Sequence, residues 1–260
     1  MDCGPSRPGV LRLLQQQDRF GETILLIDTD NAIIVDVQAS RSVRTGETHA
    51  TRTMIERVRE RFDLWPERLI ADTAYGSGEM LGWLVDERGI EPHIPVIDKS
   101  KRADGTFSRE DFAYDHKTDA YICPAGKEPR RNRRKFQSIR NEPKDTGFAK
   151  YAAIKAECDA CHLKERCCPK GAPRRIIRSE HEGARQMARD IAATDEYALS
   201  CKLRKKVEML FAHLKRILGL GRLRLRGPCG ANDEFLLAAT AQNLRKLTKL
   251  LPMPKTTRPA

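Results

Sequence analysis

The sequence lacks any long run of apolar residues. No window approaches the ~18 apolar residues that are needed to cross a membrane, and a mean hydropathy of −0.58 is typical of a soluble protein. Residues 1–17 contain no lysine and no extended apolar stretch, so we expect no secretory signal. These absences predict a cytoplasmic protein that makes no membrane contact.

Acidic residues are scarce relative to basic ones. Lys and Arg number 48 against 36 Asp and Glu, which gives a net charge of +12 and a pI of about 9.5. A basic excess attracts polyanions, because each neutralised phosphate releases condensed counterions. The charge therefore favours a nucleic-acid-binding protein, with a ribosome-like or merely soluble basic protein as the alternative.

Disulfide bonds are not expected, because the predicted compartment is reducing. The chain has eight cysteines, and five of them lie between Cys123 and Cys168. Clustered thiols in such a compartment indicate a metal site. Cys123, Cys158, Cys161 and Cys167 make a possible tetrahedral Zn²⁺ set, with Cys168 or His162 as alternative ligands. Such a site would be structural, and free thiols are the competing interpretation.

Strand and helix patterns alternate over the first part of the chain. Apolar runs at 24–27 and 32–37 flank a short turn and predict a hairpin. Helical spacing over 49–64 and short apolar runs at 69–71 and 90–96 complete an alternating pattern. This pattern predicts an α/β fold built on a sheet.

The composition divides the chain into five segments. A polar, basic and proline-containing stretch interrupts the periodic segments, and helical periodicity dominates after it. The predicted segments are an unpatterned N-terminus at 1–20, the first part of a core at 21–97, a basic cysteine-rich insertion at 98–182, C-terminal helices that complete the core at 183–252, and a tail at 253–260.

Two separated acidic residues are candidates for catalysis. Asp72 follows a short apolar run and precedes a glycine-containing turn, a position suited to a metal ligand. An ordinary turn-capping aspartate is the alternative. Glu208 lies in a helical segment, and Arg204 and Lys215 share one side of that helix with it. The functional interpretation is a metal-binding glutamate flanked by phosphate-holding cations, and the alternative is a surface ion pair between Arg204 and Glu208.

These elements resemble the DDE-type transposases of the IS4/IS5/IS1182 group. The Asp72-x2-Tyr75-Gly76 element and Arg204-x3-Glu208-x6-Lys215 occur in the order of that family, although Cys201 stands where it has a tyrosine. The phrases IDTDNAIIVDV, ADTAYGS, YICPAG, CDACHLKERC and VEMLFAHLKR resemble the IS1182 subgroup, and the resemblance covers residues 22–250.

The resemblance implies an RNase H-like fold, a mixed sheet with flanking helices that carries three acids. Asp72 would be the second acid and Glu208 the third, and together they would bind Mg²⁺ or Mn²⁺ for two-metal phosphoryl transfer. Arg204 and Lys215 would position DNA phosphates. The implied partners are double-stranded DNA and insertion-sequence ends, in a nucleoid-associated protein that is a homodimer if it assembles.

The first acid of that family is not recognisable in this chain. It belongs on a strand upstream of the predicted hairpin, where only about twenty poorly matching residues stand. The available acids, none in a suitable apolar strand upstream of the hairpin, are Asp2, Asp18, Asp28, Asp30 and Asp36. We therefore expect an N-terminally truncated fragment that is inactive alone.

A basic run in the insertion is the main candidate for phosphate contacts. The run comprises Arg130, Arg131, Arg133, Arg134 and Lys135. In a protein with a net charge of +12, contact with the phosphate backbone of a nucleic acid is the favoured role of this run. A solvated surface is the alternative. The leading hypothesis is a DDE transposase fragment. The rivals are a catalytically dead, zinc-stapled DNA-binding protein and a structural RNA-associated protein.

Overall fold

The computed structural model describes residues 9–18, 21–40, 44–98, 100–131, 147–217, 219 and 223–251. The chain divides into two compact units, residues 1–96 with 186–260 and residues 97–185. Each unit contains a five-stranded sheet. The architecture is mixed α/β, as the sequence pattern predicts at the level of fold class.

The sheet of the first unit is mixed. Its strands are β1 (Gly9–Asp18), β2 (Gly21–Asp28), β3 (Ile33–Ser40), β4 (Pro66–Ile70) and β5 (Glu91–His93). The order across the sheet is β3-β2-β1-β4-β5. Strands β1, β2 and β3 pair antiparallel, whereas β4 pairs parallel with both β1 and β5. Strand β1 is therefore central.

The predicted hairpin is confirmed. Strands β2 and β3 pair antiparallel around a turn that Asp28 shapes. Its carboxylate accepts hydrogen bonds from the backbone N–H groups of Asp30, at 3.0 Å, and Asn31, at 3.3 Å. Asp36 on β3 instead pairs with Arg57, at 2.6 Å. Both acids thus have structural partners within and beside the hairpin.

Strand β1 lies where the sequence analysis expected an unpatterned start. It forms because Leu11, Arg12 and Leu13 are all buried between two pairing strands. A strand buried on both faces does not alternate between apolar and polar residues, so period-based reasoning misses it. Asp18 ends this strand, and its side chain lies outside the described residues, as does the whole of Asp2.

Helices from both parts of the first unit pack against this sheet. Helix α1 (Arg44–Phe62) contacts β2 and β3, and α2 (Gly78–Gly82) continues into a π-helical turn over Trp83–Glu87. The later helices are α5 (Glu182–Ala192), α6 (Asp195–Arg216) and α7 (Gly227–Leu250). One core cluster joins Leu25 and Ile27 of β2 to Leu214 of α6 and Phe235 of α7. The C-terminal helices therefore complete a core that the first strands begin.

The second unit has an antiparallel sheet of very short strands. They are β6 (Ala113–Asp115), β7 (Ala120–Ile122), β8 (Arg130–Arg131), β9 (Phe148–Ala152) and β10 (Arg175–Ser179). The order is β10-β9-β8-β7-β6, and two helical turns, α3 (Lys155–Asp159) and α4 (Lys164–Cys167), lie between β9 and β10. Buried Phe112, Tyr121, Tyr151 and Ile176 form its core.

Ion pairs join the two ends of the second unit. Arg109 pairs with Glu182 at 2.8 Å and with Asp98 at 3.3 Å. Arg185 pairs with Glu182 at 3.1 Å. Because these side chains are largely buried, the network holds the first residues of the unit against its last residues. No helix within the described part of the chain is long and apolar enough to cross a membrane.

Candidate functional site

Asp72 stands just beyond the carboxyl end of β4. It is exposed, and its Oδ1 accepts the backbone N–H of Ala74 at 2.9 Å, which caps a single 3₁₀ turn over Thr73–Tyr75. The capping role that was the alternative for this residue is therefore present. One oxygen accepts this bond, and the exposed position leaves the carboxylate accessible from solvent.

Helix α6, which carries Glu208, is fastened across the sheet at its start. Glu196 pairs with Arg68 of β4 at 3.5 Å. One turn later, the buried Ser200 hydroxyl hydrogen-bonds Nδ1 of His93 on β5 at 2.8 Å. The ring of Tyr197 stacks on that of His93. These contacts set the path of the helix and therefore the position of Glu208.

Arg12 of β1 joins the sheet to the middle of α6. Its guanidinium lies 3.5 Å from the Glu208 carboxylate. It also donates to the backbone carbonyl of Arg204 and, at 3.5 Å, to that of Leu203. The Arg12 side chain is 2% exposed, whereas that of Glu208 is 57% exposed. A buried guanidinium thus contacts one oxygen of a largely exposed carboxylate.

Asp72 and Glu208 both act on this arginine. Burial lowers the pKa of Arg12 to about 10, while the carboxylates of Glu208 and Asp72 oppose that decrease. The opposing effects mean that both acids lie within electrostatic range of one guanidinium. Arg12 remains protonated at neutral pH because its pKa stays well above 7. The structure therefore brings together the two acids singled out from the sequence, around a cation.

Arg12 is the residue of this site that sequence reasoning missed. Its signal was a single arginine in the run VLRLL, which is unusual for a strand core. Glu208 pairs with Arg12 rather than with Arg204, so the expected surface pair within the helix is absent between these two described residues. The backbone carbonyl of Arg204 contributes instead. Lys215 lies on α6, but its side chain is outside the described residues.

The acidic site does not present a complete set of metal ligands. Among the described residues, no group of three or more His, Cys, Asp or Glu side chains is arranged to hold a metal ion. A divalent cation in such a site needs several oxygen ligands and little opposing charge. Asp72 and Glu208 supply two carboxylates, and Arg12 supplies a positive charge beside them. These residues do not fit a Mg²⁺ or Mn²⁺ ion as they stand.

Five cysteines of the second unit meet at one cavity. The cavity measures about 30 Å³ and is lined by Cys123, Cys158, Cys161, Cys167 and Cys168. The Cys123 sulfur accepts the backbone N–H of Lys127 at 3.2 Å, and the Cys161 sulfur accepts that of Leu163 at 3.4 Å. The donor atoms match Zn²⁺ in type, although the described arrangement is not that of a bound metal.

The thiols in this cavity affect one another. The pKa of Cys167 is raised to about 11, mainly by burial and in addition by the neighbouring Cys168. Burial also raises the pKa of Cys158, which hydrogen-bonds Cys168. Cys168 therefore contacts two of the four expected ligands, whereas His162 is exposed and does not line the cavity. Of the two alternative ligands, the geometry favours Cys168.

The basic run is described only at its start. Arg130 and Arg131 are exposed on β8, and they pair with Glu128 at 3.2 Å and with Asp119 at 3.5 Å. Arg133, Arg134 and Lys135 lie outside the described residues. Exposed ion pairs of this kind are weak, so they leave both arginines able to exchange partners.

Comparison with known families links part of the chain to a transposase domain. Residues 122–248 match the model of the transposase DDE domain. That stretch spans the cysteine cavity and Glu208, and it supports a DDE transposase. Transposase DDE domains generally use divalent metals such as Mg²⁺, and a transposase domain implies DNA as a partner. No curated protein and no solved structure matches the chain.

Proposed function

We propose that this chain is a DDE-type transposase protein that binds double-stranded DNA at insertion-sequence ends. The observation that carries the proposal is that Glu208 of α6 contacts Arg12 of β1, on the strand next to β4, which Asp72 follows. The mixed sheet with flanking helices supports the RNase H-like fold that the sequence resemblance implies. Structural RNA binding has no use for two acids brought together in this way.

The geometry favours binding without strand cleavage. Two-metal phosphoryl transfer requires carboxylates that hold both ions, and only two described carboxylates meet here, beside a buried guanidinium. A transposase with a complete set of carboxylates would cleave and join DNA, whereas this chain would hold DNA without cutting it. The catalytically dead DNA-binding protein is therefore the better account of this chain.

We also propose a structural Zn²⁺ in the second unit, held by Cys123, Cys158, Cys161 and Cys167, or with Cys168 in place of one of them. The support is the set of five thiols around one cavity and the two backbone N–H groups donated to sulfur. These bonds fix the direction in which the two sulfur atoms point. The ion would stabilise a unit whose aromatic core is small.

DNA would contact basic residues of β8 and of α6. Arg130 and Arg131 are exposed on β8. Arg204 and Lys215 belong to α6 beside Glu208 and would hold phosphates near it. The +12 charge supports sequence-independent attraction to the duplex. A homodimer would bring two such surfaces to paired insertion-sequence ends.

The experiment is a salt titration of duplex binding by fluorescence anisotropy, with the purified chain and no added metal. We expect the logarithm of the affinity to fall linearly with the logarithm of the salt concentration, with a slope of about −0.9 for each phosphate contact. Equal or tighter binding to a structured RNA of the same length would contradict the proposal. So would a slope near zero.

A pair of double variants separates a defined contact from net charge. Arg130→Ala with Arg131→Ala removes two charges from β8, and Lys117→Ala with Lys170→Ala removes two from exposed positions of the same unit. We expect the double arginine variant to make the slope less negative by about 2. The double lysine variant should change the slope less. Equal effects would mean that only net charge matters.

A further inference from the structure

We propose that the guanidinium of Arg12 occupies the position of a divalent cation beside Asp72 and Glu208, so that the chain neutralises its acidic pair with an internal cation. The proposal rests on the proposed function for the identity of the acidic pair. It adds a role for Arg12 and a defined change that would convert the pair into a metal site.

The strand register puts Arg12 on the strand beside the one that leads to Asp72. Strand β1 pairs parallel with β4, and Arg12 is the partner of Ile70. Asp72 comes two residues after Ile70, just beyond the end of the same strand. Arg12 therefore lies on the strand adjacent to the one that presents the first acid of the pair.

The direction of the Arg12 side chain puts it against the second acid. Leu11 and Leu13 are buried, and alternation along the strand directs them to the opposite face from Arg12. On its own face Arg12 meets α6, where it contacts the Glu208 carboxylate and the carbonyls of Leu203 and Arg204. Of the described β1 side chains, this is the one that reaches Glu208.

The charges explain why the guanidinium replaces a metal ion. The two carboxylates carry two negative charges, and the buried Arg12 side chain supplies a fixed positive charge between strand and helix. A divalent ion in the same place would meet that charge at short range, because the guanidinium lies 3.5 Å from the Glu208 carboxylate. The contacts to two backbone carbonyls hold the guanidinium in place, so a metal ion would have to break them to displace it.

The same geometry defines the converting substitution. A carboxylate at position 12 would face Asp72 and Glu208 from the central strand, making three acids on β1, the end of β4 and α6. Carboxylate oxygens are the ligands that Mg²⁺ and Mn²⁺ prefer. Arg12→Asp should therefore create a site for a divalent ion, and Arg12→Gln should only remove the obstacle.

The first test measures Mn²⁺ binding to the unmodified chain by electron paramagnetic resonance. Mn²⁺ is chosen because it prefers oxygen to sulfur and so avoids the cysteine cavity. We expect that Glu208→Gln leaves the binding curve unchanged, because Arg12 already excludes the ion. A Mn²⁺ site in the unmodified chain that disappears in Glu208→Gln would overturn the proposal.

The second test uses Arg12→Asp, Arg12→Gln and a matched control, Arg216→Gln, which removes one exposed arginine of α6. We expect Arg12→Asp to bind one additional Mn²⁺ at least tenfold more tightly than Arg12→Gln, and the control to match the unmodified chain. Mn²⁺ should also raise the unfolding temperature of Arg12→Asp alone. Folded Arg12 variants with no additional Mn²⁺ would overturn the proposal.

The experiment also covers a variant that fails to fold and a failure of the proposed function. If the aspartate variant does not fold, Arg12→Gln and the unmodified chain still decide the matter by their Mn²⁺ curves. If the unmodified chain does not bind duplex DNA without metal, the proposed function is contradicted. The Mn²⁺ measurements still test the role of Arg12 in that case.

Discussion

Arg12 on β1 and Glu208 on α6 lie 3.5 Å apart, although 196 positions separate them in the chain. This contact connects the central strand to a helix from the far end of the sequence. It also places a positive charge beside Glu208, on the strand next to the one that Asp72 follows. We expect the stability of the first unit, and the absence of a metal site among its described residues, to depend on this contact.

Replacing Arg12 by methionine tests its structural role. The change keeps most of the side-chain volume but leaves the carbonyls of Leu203 and Arg204 without this donor. We expect the free energy of unfolding to fall by about 1–3 kcal/mol, the usual cost of an unsatisfied buried polar group. Urea denaturation measures it, with Arg216→Met as the exposed control, expected within about 0.5 kcal/mol of the unmodified chain. Equal stability of the two variants would contradict this role.

His93 should make the stability of the first unit depend on pH. Burial lowers the pKa of His93, and Arg68 lowers it further, while Glu91 and Glu196 oppose the decrease. The native state therefore prefers neutral His93, so the unfolded state binds more protons as the pH falls below about 6.5. The free energy of unfolding should be highest above that pH and decrease as the pH falls toward the lower native pKa.

Two histidine variants isolate this effect. His93→Gln should flatten the pH dependence of urea denaturation between about pH 5 and 7, whereas His49→Gln, at an exposed position on α1, should leave it intact. Because His93 also bonds Ser200, the glutamine variant should be less stable at pH 7. An unchanged profile in His93→Gln would assign the pH dependence to other groups.

The cysteine cavity should determine the zinc content of the protein. We expect about one Zn²⁺ per chain by elemental analysis, and its loss in the double variant Cys158→Ser with Cys161→Ser, because two of four ligands are removed. Cys229→Ser changes an exposed cysteine of α7 and should retain the metal. Replacement by Co²⁺ should give thiolate absorption only where zinc is retained. Zinc-free native protein would contradict this assignment.

Local patterns predicted the outer parts of the first sheet well. The hairpin of β2 and β3 has apolar runs with β-branched residues around a short Asp/Asn turn, and helix α1 repeats its buried residues at helical spacing. Asp72 could be singled out because it directly follows the buried strand β4. In each case a short stretch of sequence contains the whole signal.

The centre of the site could not be predicted in this way. Strand β1 is buried on both faces, so it lacks the alternation that identifies a half-buried strand. The position of Arg12 against Glu208 depends on the pairing of β1 with β4 and on the path of α6, and both are long-range properties. The strands of the second unit are too short to show any period, and its cysteines meet only through its tertiary structure.

Nicking of supercoiled plasmid tests the central claim most directly, with the purified chain, Mg²⁺ or Mn²⁺, and Glu208→Ala as the control. We predict no nicking above that control, under conditions in which the chain still binds the plasmid in a salt-sensitive manner. Metal-dependent nicking that Glu208→Ala abolishes would contradict the claim, since it would mean that this chain has a working metal site despite Arg12.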